Sequence, residues 1–190
     1  MRIRDKIKKP QRPVVAYEIL PPREKDGTLN SYAETISSLL SQTHIDAINI
    51  PEVLDEAGRG DRPIANYKRG EPREFGRLLQ DIVGIEAIVN RVVVHDDYDT
   101  QMRWLEETNL VYEIENMIIV GGESSNVKYP GPTVNQTLEA ISNTYNKKGK
   151  DIFCGGIAIP SRKEESKNLI KKSKNGSEFF TTQVLYDSKN

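Results

Sequence analysis

The sequence is poor in the residues that build metal centres and disulfides. It has one cysteine, Cys154, and two histidines, His44 and His95, so no internal disulfide can form and no metal-ligand spacing exists. Cys154 stands in an apolar run and reads as a small buried hydrophobe. No apolar run approaches the ~20 residues of a membrane span, and the charged start has no apolar core behind it to make a signal peptide. A cytosolic protein is expected. A net charge of -1 excludes a global pull toward nucleic acid or anionic membrane. The triplet Arg59–Gly60–Asp61 lacks the extracellular context that an adhesion reading needs. A glycine-rich phosphate turn after the first strand is also missing, since PPREKDG stands there, and this argues against a doubly wound dinucleotide-binding sheet.

What is present is a chain of 190 residues, 36% hydrophobic and 29% charged, long enough to bury a substantial core. Residues 1–12 form a basic arm holding Arg2, Arg4, Lys6, Lys8, Lys9 and Arg12; it could touch phosphate, but such arms are more often solvated tails. The arm lacks interleaved aromatics, so a nucleic-acid partner is not expected. Residues 13–190 read as one α/β domain. It is organised around Val14–Glu24, VVAYEILPPRE, an apolar run that ends on two prolines unable to donate to a ladder. Glu18 is the acid within it. A carboxylate in an apolar segment is either partnered or shifted upward in pKa, whereas on the wet face of an edge strand it is neither.

Apolar spacing predicts a helix from Leu29 to about Thr43, a strand at Ile45–Ile50, a helix at Phe75–Ile82 with Gly84 as its stop, and a strand at Ile85–Val94. A helix from Tyr98 to Asn109 follows, then a strand at Glu115–Val120 running into Gly121–Gly122–Glu123. Thr133 caps a helix through Tyr145, a strand spans Asp151–Ile159, Leu169 and Ile170 mark the core face of another helix, and Glu178–Tyr186 is the last strand. Six strands thus alternate with five helices at a period of about thirty residues, which implies parallel strands with right-handed crossovers. Glu18, Asn49, Asn90, Glu123 and Gln183 each interrupt or follow a strand, the polar pattern of an eight-stranded α/β barrel of the TIM type. A closed barrel takes ~250 residues. The expectation is therefore an incomplete (β/α)8 barrel with about six units, from a fragment or a chain completed elsewhere.

Several stretches resemble the methylenetetrahydrofolate reductases, flavoprotein α/β barrels. Tyr17–Arg23, YEILPPR, is similar to the family's E-x-x-P-P-R signature, and Thr181–Asp187, TTQVLYD, to its I-T-Q-x-x-[FY]-D. Ile118–Glu123, IIVGGE, looks like its L-R-G-D stretch, and Asn168–Gly176, NLIKKSKNG, like its N-L-x-x-K-x-x-x-G helix. Other family runs are replaced, by Asn49–Ile50–Pro51–Glu52, Val89–Asn90–Arg91–Val92 and Gly156–Ile157–Ala158.

The resemblance implies an oxidoreductase of one-carbon metabolism that carries a hydride from NAD(P)H through FAD to a methylene-folate or related pterin. Glu18 would be its general acid, Glu123 a charge near flavin and folate, and Gln183 a donor and acceptor for the pterin edge. Gly122 would admit the flavin ring, while Asn168, Lys171 and Lys172 would hold the cofactor's ribose and diphosphate. Asn49 and Asn90 either contact the cofactor or pair inside the barrel. Lys171 and Lys172 read equally as a solvated helix face, and Gln183 less readily as a core amide. The replaced runs support an alternative, a flavin-poor family member that binds or regulates within a methyl-transfer complex. A partner subunit or a homo-oligomer would fit either reading.

Overall fold

The computed structural model describes residues 1–53, 68–122, 127–149 and 151–182. Strands β1 (Ala16–Glu18), β2 (Ala47–Ile50), β3 (Ala87–Val92), β4 (Asn116–Val120), β5 (Phe153–Ala158) and β6 (Phe179–Thr182) form one sheet in sequence order. Helices α1 (Ile3–Lys8), α2 (Leu29–Leu40), α3 (Pro72–Val83), α4 (Tyr98–Leu110), α5 (Val134–Ala140) and α6 (Glu165–Lys174) complete the alternation. This is the strand order of an incomplete α/β barrel, as the element spacing predicts. The chain divides into two compact units, Met1–Asn90 with Tyr112–Ile114, and Arg91–Val111 with Glu115–Asn190.

In the first unit the helix ends are fixed by local chemistry. Thr28 caps α2 by accepting from the Ser31 amide at 3.2 Å. Glu71 caps α3 by accepting from Arg73 and Glu74 amides, both at 3.0 Å, with Pro72 at the first helical position. Gly84 ends that helix at φ 71°, the left-handed conformation that glycine adopts without penalty. Strands β1 and β2 run parallel with Glu18 opposite Asn49, and β2 pairs with β3 with Asn49 opposite Ile88. Ile48, Ile50, Ala87 and Val89 are fully buried. Ile50 and Ala87 lie against α3, whose Gly76 approaches so closely that a Cβ would stand 3.1 Å from the Ile50 side chain. The other face of the same strands carries Ala16, Glu18, Ala47, Asn49, Ile88 and Asn90, because registered partners and residues two apart share a face.

Two features of this unit differ from the sequence expectation. Strand β1 is exposed along its length, as is Val15 just before it, while Ile19 just after it is buried, so the VVAYEIL run reaches the core only beyond its strand. The basic arm folds: α1 buries Ile3, whose amide donates to Glu86 at 3.3 Å. Asp46, with 2% of its side chain exposed, gathers Lys6 at 3.0 Å, Arg12 at 2.7 Å and the Val15 amide at 2.9 Å. The Val15 amide is the main cause that lowers the Asp46 carboxyl to a pKa of about 2; burial opposes the shift, and Lys6 and Arg12 reinforce it.

In the second unit Asp97 caps α4 and Thr133 forms a reciprocal capping box with Gln136 at α5. Helix α5 continues as a π turn over Ile141–Tyr145 and a 3-10 turn over Asn146–Lys148 before Gly149. Asn116 pairs with Phe153 and Gly155 with Phe179. Phe153 and Phe179 stack with ring centroids 4.7 Å apart, and Gly155 lies so close that a Cβ would stand 2.5 Å from the Phe179 ring. Only glycine leaves room for that stack. Arg91 is buried but satisfied, by Gln101 at 2.9 Å, Asp96 at 2.6 Å and the Trp104 ring at 4.9 Å. On α6 the apolar pair faces the core only in part, since Leu169 is half-buried while Ile170 is 56% exposed.

Candidate functional site

The carboxyl end of β1 and β2 carries the candidate site. Asn49 donates from Nδ2 to Glu18 Oε2 at 2.9 Å, a pairing of residues 31 positions apart that the strand register makes adjacent. Glu18 is exposed and Asn49 half-buried. The Asn49 Oδ1 and the Asn90 Oδ1 are buried and accept no hydrogen bond among the described residues. Glu18, Asn49 and Asn90 share the face turned away from α3, so the unit presents a carboxylate and two unsatisfied carbonyl oxygens together. Buried acceptors of this kind call for a donor from water or a ligand.

Of the three, Glu18 also lines a cavity of about 500 Å³, together with Ile19, Leu20, Arg23, Asp26, Tyr32 and Arg69. Two backbone contacts shape it. The chain at Arg69 forms an antiparallel bridge with Arg23, and the Gly70 amide donates to the Pro22 carbonyl at 2.9 Å. Arg23 is held by Asp26 through bonds of 2.7 and 2.9 Å. Arg23 leads the causes that hold the Asp26 carboxyl down at a pKa of about 2. Arg69 and the cavity role of Tyr32 were not read from the sequence. Arg69 stands 46 residues beyond Arg23, and no local signal links the two.

The remaining expected site residues fall in several places. Glu123 and Gln183 lie outside the described residues, as do Arg59–Gly60–Asp61 and most of TTQVLYD. Gly122 lies directly beneath the Tyr129 ring, where a Cβ would collide with it, and Tyr129 meets His95 edge-on at 5.5 Å. The glycine therefore admits a tyrosine of the same chain.

Asn168 and Lys172 turn inward onto Glu165, a buried carboxylate at the start of α6. Asn168 donates to it at 3.2 Å, the Lys172 ammonium lies 3.8 Å from it, and the Ile159 amide donates to it at 2.9 Å. Burial raises the Glu165 pKa, and the Ile159 amide, Asn168, Lys172 and Arg162 outweigh it, so that the carboxyl ends below its ordinary value. Lys172 is lowered, by burial first, and also donates to the Ile157 carbonyl. Lys171 is exposed. The polar ends of Asn168 and Lys172 serve an internal ion pair that closes the end of β5, and they do not form an open cradle for a diphosphate. Among the described residues no cluster of histidine, cysteine and carboxylate could hold a metal, and no helix is long and apolar enough to cross a membrane.

No family model and no curated protein matches the chain. Its fold recurs in solved structures. An uncharacterized protein from Clostridium thermocellum that binds two copies of 5-methyl-5,6,7,8-tetrahydrofolic acid superposes with a TM-score of 0.71 at 19% identity, covering 97% of this chain and 59% of that one. A 2,3-dimethylmalate lyase, a member of the PEP mutase/isocitrate lyase superfamily, superposes in its trigonal form with a TM-score of 0.59 at 11% identity, covering 98% and 62%. Its triclinic form gives 0.57 at 14%, covering 98% and 64%. The chain thus spans about three fifths of the length of these proteins.

These findings overturn the methylenetetrahydrofolate reductase assignment. The solved structures named above are a folate-binding protein and a lyase, neither of them a methylenetetrahydrofolate reductase, and no family or sequence match supports the reductase. The enzyme class falls with it, namely a flavoprotein oxidoreductase acting on CH–NH groups in tetrahydrofolate interconversion and methionine biosynthesis. The physical reason is that a strand ending in an acid and two prolines, or in two glycines, satisfies the general demands of a parallel-strand terminus. Such runs report the fold before they report the chemistry.

Proposed function

We propose that this chain is a pterin-binding part of an α/β barrel, and that its ligand is a reduced folate held at the carboxyl ends of β1–β3. The carrying observation is the set of acceptors on one face: the Glu18 carboxylate beside Asn49, and the buried Asn49 and Asn90 oxygens without a donor among the described residues. The pyrimidine edge of a pterin offers what this set lacks, a ring N–H and an amino group side by side, and a carboxylate accepts such a pair in two parallel bonds. The likeness to a fold that binds 5-methyltetrahydrofolic acid supports the same reading. So does the placement, since ligands of parallel α/β barrels sit at the carboxyl ends of the strands.

Titration calorimetry with 5-methyltetrahydrofolate tests it. The 190-residue chain is expected to bind, and Glu18→Gln and Asn49→Ala are each expected to weaken binding about tenfold or more, since each removes a hydrogen bond to or from a charged group. Absence of binding to the unaltered chain, or full affinity in both variants, would overturn the proposal.

A further inference from the structure

We infer that Arg69 anchors a carboxylate of the ligand, so that the cavity selects pterins that carry an acidic tail over pterins that do not. This deepens the pterin reading above and rests on it. Arg69 is half-buried and held from two sides. Its backbone is bridged to Arg23, and one terminal nitrogen of its guanidinium donates to the Pro21 carbonyl at 2.8 Å. That bond occupies one side of the planar group. The edge formed by Nε and the other terminal nitrogen meets no acceptor among the described residues, and such an edge matches a carboxylate with two parallel bonds.

The charges around it narrow the ligand. Arg23 lines the same cavity, but Asp26 already takes its guanidinium through two bonds. Glu18 lines the cavity too, yet it is bonded to Asn49 and not to Arg69. The cavity therefore holds a negative pole at Glu18 and a positive pole at Arg69, left apart from each other. Ile19, Leu20 and the Tyr32 ring share its lining. A ligand that joins the poles needs a donor-rich edge, an apolar or aromatic middle and an acidic end. One open guanidinium edge, in a cavity that already holds two carboxylates, balances a singly charged carboxylate better than a doubly charged phosphate. A pterin joined through an aromatic linker to an amino acid carries all three parts.

Binding of tetrahydrofolate and of tail-less 6-methyltetrahydropterin by the unaltered chain, by Arg69→Gln and by Arg69→Lys, provides the test. The unaltered chain is expected to favour tetrahydrofolate about tenfold or more, the range of a charge-assisted pair. Arg69→Gln is expected to bring the ratio of the two affinities close to one, with tetrahydrofolate weakened more than the tail-less pterin, and Arg69→Lys to restore part of that ratio. Equal affinity of the unaltered chain for the two ligands would overturn this inference and leave the pterin reading standing. Equal weakening of both ligands in Arg69→Gln would also overturn it, since Arg69 would then act only by supporting the turn at Pro21–Pro22. Failure of the unaltered chain to bind either ligand would remove both.

Discussion

The two units treat the sheet face turned away from their helices in opposite ways. In the first unit β1–β3 place Glu18, Asn49 and Asn90 there, with small Ala16 and Ala47 beside them, and two of the amide oxygens go unsatisfied. In the second unit β5 and β6 fill the corresponding face with the Phe153–Phe179 stack, made possible by Gly155, beside the buried amide of Asn116 on β4 in register with Phe153. A filled aromatic face contributes stability through area and close contact. A face with buried orphan acceptors sacrifices stability for a site. The same strand–helix repeat therefore carries mainly aromatic rings on this face in one unit and mainly polar groups in the other.

Substitutions on each side can break that contrast. Phe153→Ala should give the largest effect, a loss of about 3–5 kcal/mol in urea unfolding, because it removes a fully buried ring and leaves Phe179 without its partner. A loss below about 1 kcal/mol would mean that the second unit is not held by this stack. Asp46→Ala should lower stability by about 2 kcal/mol, since three donors lose a buried acceptor.

The contribution of Asp46 is also pH-dependent. Its folded pKa of about 2 lies below the ordinary 3.8, so the unfolded chain takes up the proton more readily and acid favours unfolding. The contribution is complete above about pH 4 and disappears as pH falls through about 2. Acid unfolding of the unaltered chain and of Asp46→Ala should converge in that window, and parallel curves would contradict the assignment.

The smallest effect separates the halves most sharply. Asn90→Leu should leave stability unchanged or raise it by up to about 1 kcal/mol, because it replaces an unsatisfied buried oxygen with an apolar side chain. A loss of several kcal/mol, read in the same urea titration, would show that Asn90 is a structural amide and not part of a receptive face.

Much of the fold was legible in the chain. Gly84 and Thr133 mark helix boundaries at the positions observed, since capping depends on a few neighbouring atoms, whereas α3 begins at Pro72, three residues before the Phe75 that the apolar spacing indicates. The short α1 was missed, because its one buried anchor, Ile3, is surrounded by charge and gives no periodicity. The expected core face of α6 failed at Ile170 because most of that helix is solvated and Glu165, not an apolar residue, is its buried member. The site was legible only in part. Glu18, Asn49 and Asn90 stood out as polar residues in apolar strands, and the structure sets them on one face. Arg69, which shares a cavity with Glu18, and the inward turn of Lys172 onto Glu165 had no local signature.

The amino-acid order by itself determined the alternation of strands and helices, their caps and the parallel sheet, because each depends on spacing within a few residues or on the length of a crossover. Tertiary structure alone decided which polar groups meet: Asn49 with Glu18, Asp46 with the basic arm, the Arg69 side chain with the Pro21 carbonyl. Those meetings join residues 31 to 48 positions apart. They follow from strand register and from packing between elements, and pairing across such distances leaves no periodic trace along the chain.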